Sequence, residues 1–234
     1  MIEIYKMKLP DFQDLNTVKL LSYVSAERVE KILRLFKNED KSRALMSELL
    51  IRSIIVKKFA VNNEQILIHR NAYGKPYISL GRDFHYNISH SGEWVLCAIS
   101  HAEIGIDIEE IRPIEYMEIA REFFSMKEND LLKGLTGTAR LECFFELWTL
   151  KEAYIKAVGK GMGISLSSFT MSKNDSGDYI CELFNYKPQN YQFQVMKISD
   201  SYIGAVCSSL PFKLADITSV DFRSCVQCLE SSNS

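Results

Sequence analysis

The chain has no excess of charge of either sign. Its 28 Lys and Arg residues nearly balance its 30 Asp and Glu residues, which leaves a formal net charge of -2. A chain this close to neutral has no general electrostatic attraction for nucleic acid or for an anionic membrane, so any anion site must be local. We therefore expect neither nucleic acid nor a membrane among its partners.

Long apolar runs are also missing. No apolar stretch approaches the roughly 20 residues that cross a bilayer as a helix. The first residues, Met1 to Tyr5, alternate as in a strand, and they lack the basic start and apolar block of a signal peptide. These absences argue against a membrane-spanning or secreted protein.

Cysteine occurs six times, but not in a pattern that predicts a disulfide framework. Cys225 and Cys228 form a CxxC pair with no second pair and no nearby His. We interpret them as tail cysteines, with a redox or metal role as the alternative. The other four lie inside apolar stretches, which is typical of reduced core thiols in a cytoplasmic protein: Cys97, Cys143, Cys181 and Cys207.

The chain does contain enough apolar material for a sizeable core. Hydrophobic residues make up 47% of its 234 residues and charged residues 25%, as in soluble globular proteins. Periodicity predicts helices at 12–24, 26–37 (with Ser25 as N-cap), 40–60, 115–133 and 139–158. It predicts strands at 1–10, 65–69, 84–89, 94–100, 104–109, 167–172, 179–184, 191–198 and 202–208.

A weak internal repeat suggests two lobes. With a shift of 110 residues, four of the ten positions from Ile88 to Cys97 are identical to those from Ile198 to Cys207, a match that chance also produces. A long predicted helix precedes each segment. The repeat predicts an α/β (α+β) fold of two similar lobes around a pseudo-twofold axis, with a small-molecule site in the cleft between them. We place the lobes at residues 1–104 and 105–224, with a flexible tail at 225–234.

The segment from Gly105 to Glu109 carries the first candidate chemistry. On a strand, alternate side chains share a face, so Asp107 and Glu109 stand together opposite the apolar Ile106 and Ile108. Two carboxylates this close repel each other unless a cation or solvent relieves them. Magnesium takes oxygen ligands and keeps several waters, so such a pair suits it. For this motif alone, an ordinary half-exposed strand remains the alternative.

The predicted helix at 139–158 is apolar on most sides, which predicts that Glu152 is buried. A buried, unpaired glutamate would cost several kcal/mol, so it needs a metal or a cation. Lys156 lies one turn further along the same face. A simple Glu152–Lys156 ion pair on the helix is therefore the alternative to a metal site.

A Ser-His-Ser-Gly turn follows the predicted strand at 84–89. Its hydroxyls, imidazole and flexible backbone amides could all bind a phosphate, which makes Ser89 and His90 candidates. A Ser/His nucleophile pair is a weaker interpretation, because adjacent strand residues point to opposite faces and no nucleophile elbow is present. An ordinary polar hairpin turn is the remaining alternative.

Basic residues supply the last candidate group. Taken singly, each is typical of a solvated surface cation. Taken together, they could bind a multiply phosphorylated ligand. They are Arg28, Lys31, Arg43 and Lys75.

These motifs occur in the same order in a family that the chain resembles over almost its whole length, the surfactin-synthetase-type 4'-phosphopantetheinyl transferases. The signature is a Gly-Ile-Asp-x-Glu segment at 105–109 with a Trp-x-x-Lys-Glu-x-x-x-Lys segment at 148–156. The other shared segments are Ser25 to Lys31, Tyr73 to Pro76, Phe84 to Gly92, Phe123 to Ser125 and Gly159 to Gly161.

The resemblance implies two similar α/β lobes in one chain, with coenzyme A in the cleft and magnesium as cofactor. Family metal ligands map onto Asp107, Glu109 and Glu152. Arg28 stands where relatives often carry Lys, which keeps the charge but changes the head group. Ala44 stands where a close relative would have a hydroxyl, so that contact is expected to be absent. The coenzyme A phosphate contacts map onto Arg28, Lys31, Arg43, Lys75, Ser89, His90 and Lys156.

The implied reaction is transfer of the 4'-phosphopantetheine group of coenzyme A to a serine of an apo carrier protein, with release of 3',5'-adenosine bisphosphate. Glu152 is the first candidate for the base that takes the serine proton, and Glu128 is the second. Lys156 and His90 would offset charge on the diphosphate. The carrier could serve a fatty-acid, polyketide or non-ribosomal peptide synthase, and relatives of this length are usually monomers.

The carrier is expected to dock on the predicted helix at 115–133. In the family's pathways, carriers present an acidic helix beside the modified serine, which apolar contact rimmed by cations would fit. A core position for Phe123 and Phe124 is the alternative. The residues concerned are Met117, Phe123, Phe124, Met126, Arg121 and Lys127.

Three rival functions have less support. A different magnesium-dependent phosphotransferase acting on a nucleotide would need a Walker A loop or a kinase motif, and neither occurs. A coenzyme A-binding or carrier-binding module without catalysis predicts a broken carboxylate set, whereas Asp107, Glu109 and Glu152 are all present. A structural interaction protein leaves a buried Glu152 unexplained.

Overall fold

Two long helices and two main sheets make up most of the molecule. The computed structural model describes residues 2–10, 17–79, 83–183, 191–213 and 216–232. In that part of the chain, no helix has the length and apolar character needed to cross a bilayer. The helices are α1 (Thr17–Leu21), α2 (Ala26–Leu33), α3 (Asn38–Phe59), α4 (Tyr116–Phe123), α5 (Met126–Lys133), α6 (Gly137–Val158) and α7 (Phe222–Ser231). The strands are β1 (Glu3–Lys8), β2 (Ile68–Arg70), β3 (Pro76–Ile78), β4 (His85–Ser91), β5 (Trp94–Ser100), β6 (Ile104–Glu110), β7 (Phe169–Lys173), β8 (Tyr179–Leu183), β9 (Gln192–Ser199), β10 (Tyr202–Ser208) and β11 (Thr218–Ser219).

The same order of elements occurs twice along the chain. A strand of the sheet comes first, a long helix follows, and a hairpin of the same sheet comes last. The first sheet has the strand order β11-β1-β5-β4, and the second has the order β6-β10-β9. In both sheets the second strand of the hairpin, β5 or β10, lies between the other hairpin strand and the strand that precedes the long helix. The 22-residue helix α3 precedes the hairpin of β4 and β5, and the 22-residue helix α6 precedes the hairpin of β9 and β10. The α/β class is confirmed, and the repeated order follows the two-lobe plan.

The residue match that suggested the repeat does not hold in the structure. The end of β9 lies 108 residues after the end of β4, rather than 110. Ile88 pairs with Cys97 in the first hairpin, whereas Cys207 pairs with Phe193 in the second, not with Ile198. Because the turn fixes the register of a hairpin, the matched residues occupy non-equivalent positions.

Side chains of β4 connect the two sheets. The Oδ1 atom of Asn87 accepts a hydrogen bond from the Ile106 amide (2.9 Å), and the Oγ atom of Ser91 accepts one from the Glu110 amide (3.1 Å). Strands β4 and β6 belong to different sheets, yet they lie side by side. This contact places the carboxylates of β6 at the junction between the lobes.

The predicted helix at 115–133 is wrong as a single helix. Helix α4 ends at Phe123 and α5 begins at Met126. Ser125 starts the new helix, because its Oγ atom accepts from the Glu128 amide (3.3 Å) while the Glu128 carboxylate accepts from the Ser125 amide (2.8 Å). This reciprocal cap satisfies two amides that a helix start otherwise leaves free. Of the predicted helix at 12–24, the structure shows α1 from Thr17 to Leu21 and a turn at 22–24, and residues 12–16 lie outside the described residues.

The flexible tail predicted at 225–234 is wrong for its described part. Strand β11 pairs in parallel with β1, and α7 follows with Asp221 as its N-cap. Cys225 and Leu229 lie one turn apart on α7 and are completely buried in the core that α3 shares. The thiol of Cys225 donates to the Leu49 carbonyl of α3 (3.3 Å). This final segment therefore packs against β1 and α3 and is not a free tail.

Gly105 lies where β6 packs on α6, and there is no room for a side chain. A Cβ atom at this position would lie 2.0 Å from the Ala153 carbonyl oxygen and 2.4 Å from the Ala157 nitrogen. Because both neighbours are helix backbone, we expect Gly105→Ala to lower the free energy of unfolding by roughly 3 kcal/mol, as measured by urea denaturation. The control is Gly163→Ala, where the added atom has no neighbour within 4 Å. Equal shifts in the two variants would contradict this packing.

Candidate active site

Three carboxylates and one ammonium group share a cavity at the junction of the lobes. Strand β6 supplies Asp107 and Glu109, and helix α6 supplies Glu152 and Lys156. The cavity has a volume of about 390 Å³. It is lined by Ile88, Ser89, His90, Asp107, Glu109, Trp148, Glu152 and Lys156.

Asp107 is the most buried of the three carboxylates, at 3% exposure. Its Oδ1 atom accepts hydrogen bonds from the Ser89 hydroxyl (2.8 Å) and the Lys156 ammonium (2.6 Å). Its Oδ2 atom is buried and has no hydrogen-bond partner. A buried carboxylate oxygen without a partner is costly, so this atom is suited to a cation.

Glu109 and Glu152 add to the local negative charge. Burial raises the pKa of Glu109 to about 7, and the neighbouring charges of Asp107 and Glu152 also raise it, against a hydrogen bond from Ser91 and the charge of Lys156. Burial and Asp107 raise the pKa of Glu152 as well. One lysine does not offset three carboxylates, so a second, multiply charged cation would stabilise their ionised forms.

The carboxylates are not a preassembled cage. Across the described ranges, no three His, Cys, Asp or Glu side chains are placed to hold one ion together. Magnesium commonly binds through one or two carboxylates and completes its shell with water and substrate phosphate. The residues therefore fit magnesium as an open site that a phosphorylated ligand completes.

Lys156 contacts the strand rather than its own helix. Its ammonium lies between the Asp107 Oδ1 atom (2.6 Å) and the Ser89 hydroxyl (3.0 Å). A simple helical ion pair with Glu152 is therefore not the arrangement found. Lys156 instead connects α6, β6 and β4 at the mouth of the cavity, with 27% of its side chain exposed.

The last residues of β4, before the hairpin turn, border the same cavity. Ser89 donates to Asp107 and His90 is exposed at the cavity edge. Because the Ser89 hydroxyl donates to a carboxylate and not to His90, the structure gives no support to a Ser/His nucleophile pair. A phosphate contact remains the interpretation that fits the position of both residues.

A second cavity of about 520 Å³ adjoins the first. Glu152 and Lys156 line both cavities, so they form the wall between them. The second cavity has a mostly apolar lining, and a long ligand could extend from one cavity into the other. Its other lining residues include Tyr73, Gly74, Lys75, Phe123, Ile155 and Ile164.

Two of the basic residues lie near the junction. The Nη1 atom of Arg43 donates to the Gly92 carbonyl in the hairpin turn (3.3 Å). The Lys75 ammonium donates to the carbonyls of Ile104 (3.1 Å) and Ala157 (2.8 Å), where β6 begins and α6 ends. Lys75 therefore joins the lobes, and its burial lowers its pKa.

The other two basic residues make contacts within the first lobe. The Nη2 atom of Arg28 donates to the Ala44 carbonyl (3.2 Å), and its Nε atom lies 3.3 Å from the Glu48 carboxylate. Lys31 pairs with Glu27 one turn earlier on α2. Neither Arg28 nor Lys31 is among the described residues that line the two cavities. Their contact with coenzyme A stays a prediction.

The prediction that Glu128 could be the base is wrong. One carboxylate oxygen accepts from the Met171 amide (2.8 Å), and the other accepts from the Ser125 amide (2.8 Å). The second oxygen also lies 2.9 Å from the Lys151 ammonium, and the side chain of Glu128 is 1% exposed. Both oxygens are occupied inside the protein, so Glu128 has no access to a substrate proton.

Lys151 is a buried charged residue of α6 whose structural role the sequence analysis did not predict. It is completely buried, and its ammonium donates to the carbonyls of Leu166 (2.9 Å) and Phe169 (2.7 Å) as well as pairing with Glu128. The available signal was a second charge on a helix that is apolar nearly all round, directly before Glu152. Lys151 fastens α6 to α5 and to the start of β7.

Comparisons with known proteins identify the family. Residues 103–207 match the model of the 4'-phosphopantetheinyl transferase superfamily, and residues 11–102 match that of the 4'-phosphopantetheinyl transferase N-terminal region. The chain is 44% identical over 177 residues to the 4'-phosphopantetheinyl transferase gsp of Aneurinibacillus migulanus, covering 75% of this chain and 73% of that protein. It is 36% identical over 205 residues to the 4'-phosphopantetheinyl transferase Sfp of Bacillus subtilis, covering 88% and 91%.

Among solved structures, a holo-(acyl-carrier-protein) synthase from Bacillus anthracis matches 45% of this chain and 93% of its own length, at 27% identity and a TM-score of 0.41. The sequence matches cover most of the chain and include the carboxylates of the cavity. The chain belongs to the 4'-phosphopantetheinyl transferase superfamily and is a transferase of that class.

Proposed function

We propose that this transferase moves the 4'-phosphopantetheine group of coenzyme A to a serine of an apo carrier protein, with magnesium held by Asp107, Glu109 and Glu152 once the phosphorylated ligand completes the open site. One observation carries the proposal: the partnerless Oδ2 atom of Asp107 lies in a cavity that two further carboxylates and Lys156 share. That combination suits a cation and a phosphorylated ligand together. When bound, magnesium would neutralise charge on the diphosphate oxygens.

Three residues of the chain would assist the transfer directly. Lys156 and His90 would offset negative charge on the diphosphate as the bond breaks. Glu152 would take the serine proton, since its carboxylate lies in the cavity beside Lys156. The serine oxygen bonds to the phosphorus nearest the pantetheine, the bridging P–O bond breaks, and 3',5'-adenosine bisphosphate leaves.

The division of the chain is also part of the proposal. We place a first lobe at residues 1–104, completed by β11 and α7, and a second lobe from residue 105 through β10. The repeated strand order of the two sheets supports this division. All six thiols are unpaired, which is consistent with the proposed cytoplasmic location, and we propose that the enzyme acts as a monomer.

Intact-mass spectrometry of an apo carrier protein tests the reaction. With coenzyme A and magnesium, we expect the carrier to gain one phosphopantetheine, about 340 Da, and we expect EDTA to abolish the gain. A gain that persists in EDTA would contradict the metal role. No gain with peptidyl, acyl or aryl carriers, from folded protein that binds coenzyme A, would favour a non-catalytic binding module.

We further propose that α4 and α5 form part of the carrier-docking surface. Phe124 is core, at 3% exposure, so the alternative interpretation is correct for that residue. Phe123 is 36% exposed and Met126 is 81% exposed, and the exposed cations Arg121 and Lys127 lie beside them. An apolar patch with a cationic rim suits the acidic helix of a carrier.

Charge reversal tests this surface. We expect Arg121→Glu to raise the KM for the carrier about tenfold, because a like charge would then face the acidic helix. The KM for coenzyme A should not change. The matched control is Arg223→Glu, the same change at an exposed position on α7. An unchanged carrier KM in Arg121→Glu would remove this surface from the proposal.

A further inference from the structure

We propose that Tyr202, in the second lobe, is a positioning residue that holds the hairpin turn of the first lobe in place for coenzyme A. The inference rests on the proposed function, since it takes Ser89 and His90 of this hairpin as phosphate contacts. Tyr202 is not itself among the described residues that line the two cavities. It would therefore act through the turn and not by touching the ligand.

The Tyr202 ring lies directly against the turn. Its hydroxyl oxygen accepts a hydrogen bond from the Glu93 amide (3.2 Å). A Cβ atom at Gly92 would lie 2.0 Å from that oxygen and 2.8 Å from the ring carbon Cζ. Gly92 also has a φ angle of +51°, which favours glycine. The turn is therefore shaped to admit this ring.

Strand β6 of the second lobe also contacts Tyr202 and the hairpin turn. Tyr202 is 6% exposed and pairs with Glu110 across β10 and β6. The Glu110 amide donates to the Ser91 Oγ atom (3.1 Å), and the Ser91 hydroxyl donates to the Glu109 carboxylate (3.0 Å). The turn is thus fixed between two anchors of the second lobe, one at Ser91 and one at Glu93.

This turn determines where several ligand-facing groups lie. Ser89 and His90 precede it and line the carboxylate cavity, and Arg43 is tied to the Gly92 carbonyl (3.3 Å). A displacement of the turn would move all three groups relative to the carboxylates of β6. A small loss of alignment in a preorganised site lowers affinity even when every contacting side chain is still present.

The test is Tyr202→Phe, which removes the hydroxyl and keeps the ring that packs on Gly92. We expect the Kd for coenzyme A, by titration calorimetry, to rise about three- to tenfold, as for one lost hydrogen bond. We expect kcat at saturating coenzyme A to fall by no more than a similar factor, since His90 moves with the turn but no reacting group is removed. Hydrogen exchange at the Glu93 amide should accelerate. The matched control is Tyr179→Phe, whose hydroxyl donates to Glu146 (2.6 Å) in the same lobe.

The outcomes distinguish failure of the positioning role of Tyr202 from failure of the proposed function. A higher Kd with faster Glu93 exchange in Tyr202→Phe, and an unchanged Kd in Tyr179→Phe, would support the positioning role. Faster exchange with an unchanged Kd would show that the hydroxyl braces the turn without affecting the ligand, and would overturn the proposal. An equal rise in Kd in both variants would also overturn it, as a general effect on stability. Wild-type protein that does not bind coenzyme A would instead overturn the proposed function.

Discussion

Glu152→Gln is expected to lower turnover about a thousandfold or more while the protein still folds. The amide has nearly the same shape, but it cannot accept the serine proton or carry the negative charge that a metal ligand needs. Stability should not fall. Burial and Asp107 raise the folded-state pKa of Glu152, so above its usual pKa the ionised form lowers the free energy of unfolding. A neutral amide removes that cost at pH 8.

The measurement is the rate of carrier modification together with urea unfolding at pH 8. The matched control is Glu142→Gln, the same change at an exposed position on the same helix, which should keep wild-type turnover. Turnover within about threefold of wild type in Glu152→Gln would exclude Glu152 as base and ligand. Lost turnover with lost folding would instead mean that Glu152 is structural.

Sequence reasoning located the carboxylate site because the relevant signals are local. The alternation from Gly105 to Glu109 puts Asp107 and Glu109 on one face, and the cap at Ser25 begins α2 through a hydrogen bond from the Arg28 amide (3.3 Å). Such patterns follow from strand period and helix-end chemistry, which need only a few neighbouring residues. For the same reason, the order of helices and strands could be predicted over most of the chain.

Contacts with partners far away in sequence could not be predicted. The phosphate contact of Lys75 stays a prediction, whereas the bonds of its ammonium to carbonyls 29 and 82 residues further along the chain have no local signal. The sequence alone makes Glu128 a candidate base, whereas in the structure it is buried in an ion pair with Lys151. Residues 225–232 resemble a tail in sequence alone, because the apolar stripe of α7 is short and its contacts on α3 lie 176 and 175 residues earlier. Nothing in the local sequence specifies such contacts.

Lys151→Met is expected to lower the free energy of unfolding by about 3–5 kcal/mol. The ammonium makes three polar contacts in an interior position, with Glu128 (2.9 Å) and with the carbonyls of Leu166 (2.9 Å) and Phe169 (2.7 Å). Its removal leaves a buried carboxylate without a counter-charge. Urea denaturation measures the loss. The control is Lys133→Met, which breaks an exposed pair with Asp130 and should cost less than about 1 kcal/mol.

A double variant, Lys151→Met with Glu128→Leu, separates the cost of the stranded charge from the cost of lost packing. Because the uncompensated carboxylate is then absent, we expect the double variant to be more stable than the sum of the two single losses predicts. Recovery should be partial, since the amides of Ser125 and Met171 lose their acceptor. Strictly additive losses would show that Lys151 and Glu128 do not stabilise each other. Non-additive losses would show that Lys151 stabilises the position of α6 through Glu128. If Glu152→Gln also keeps its stability but loses turnover, these two neighbouring residues of α6 have different roles, Lys151 in stability and Glu152 in catalysis.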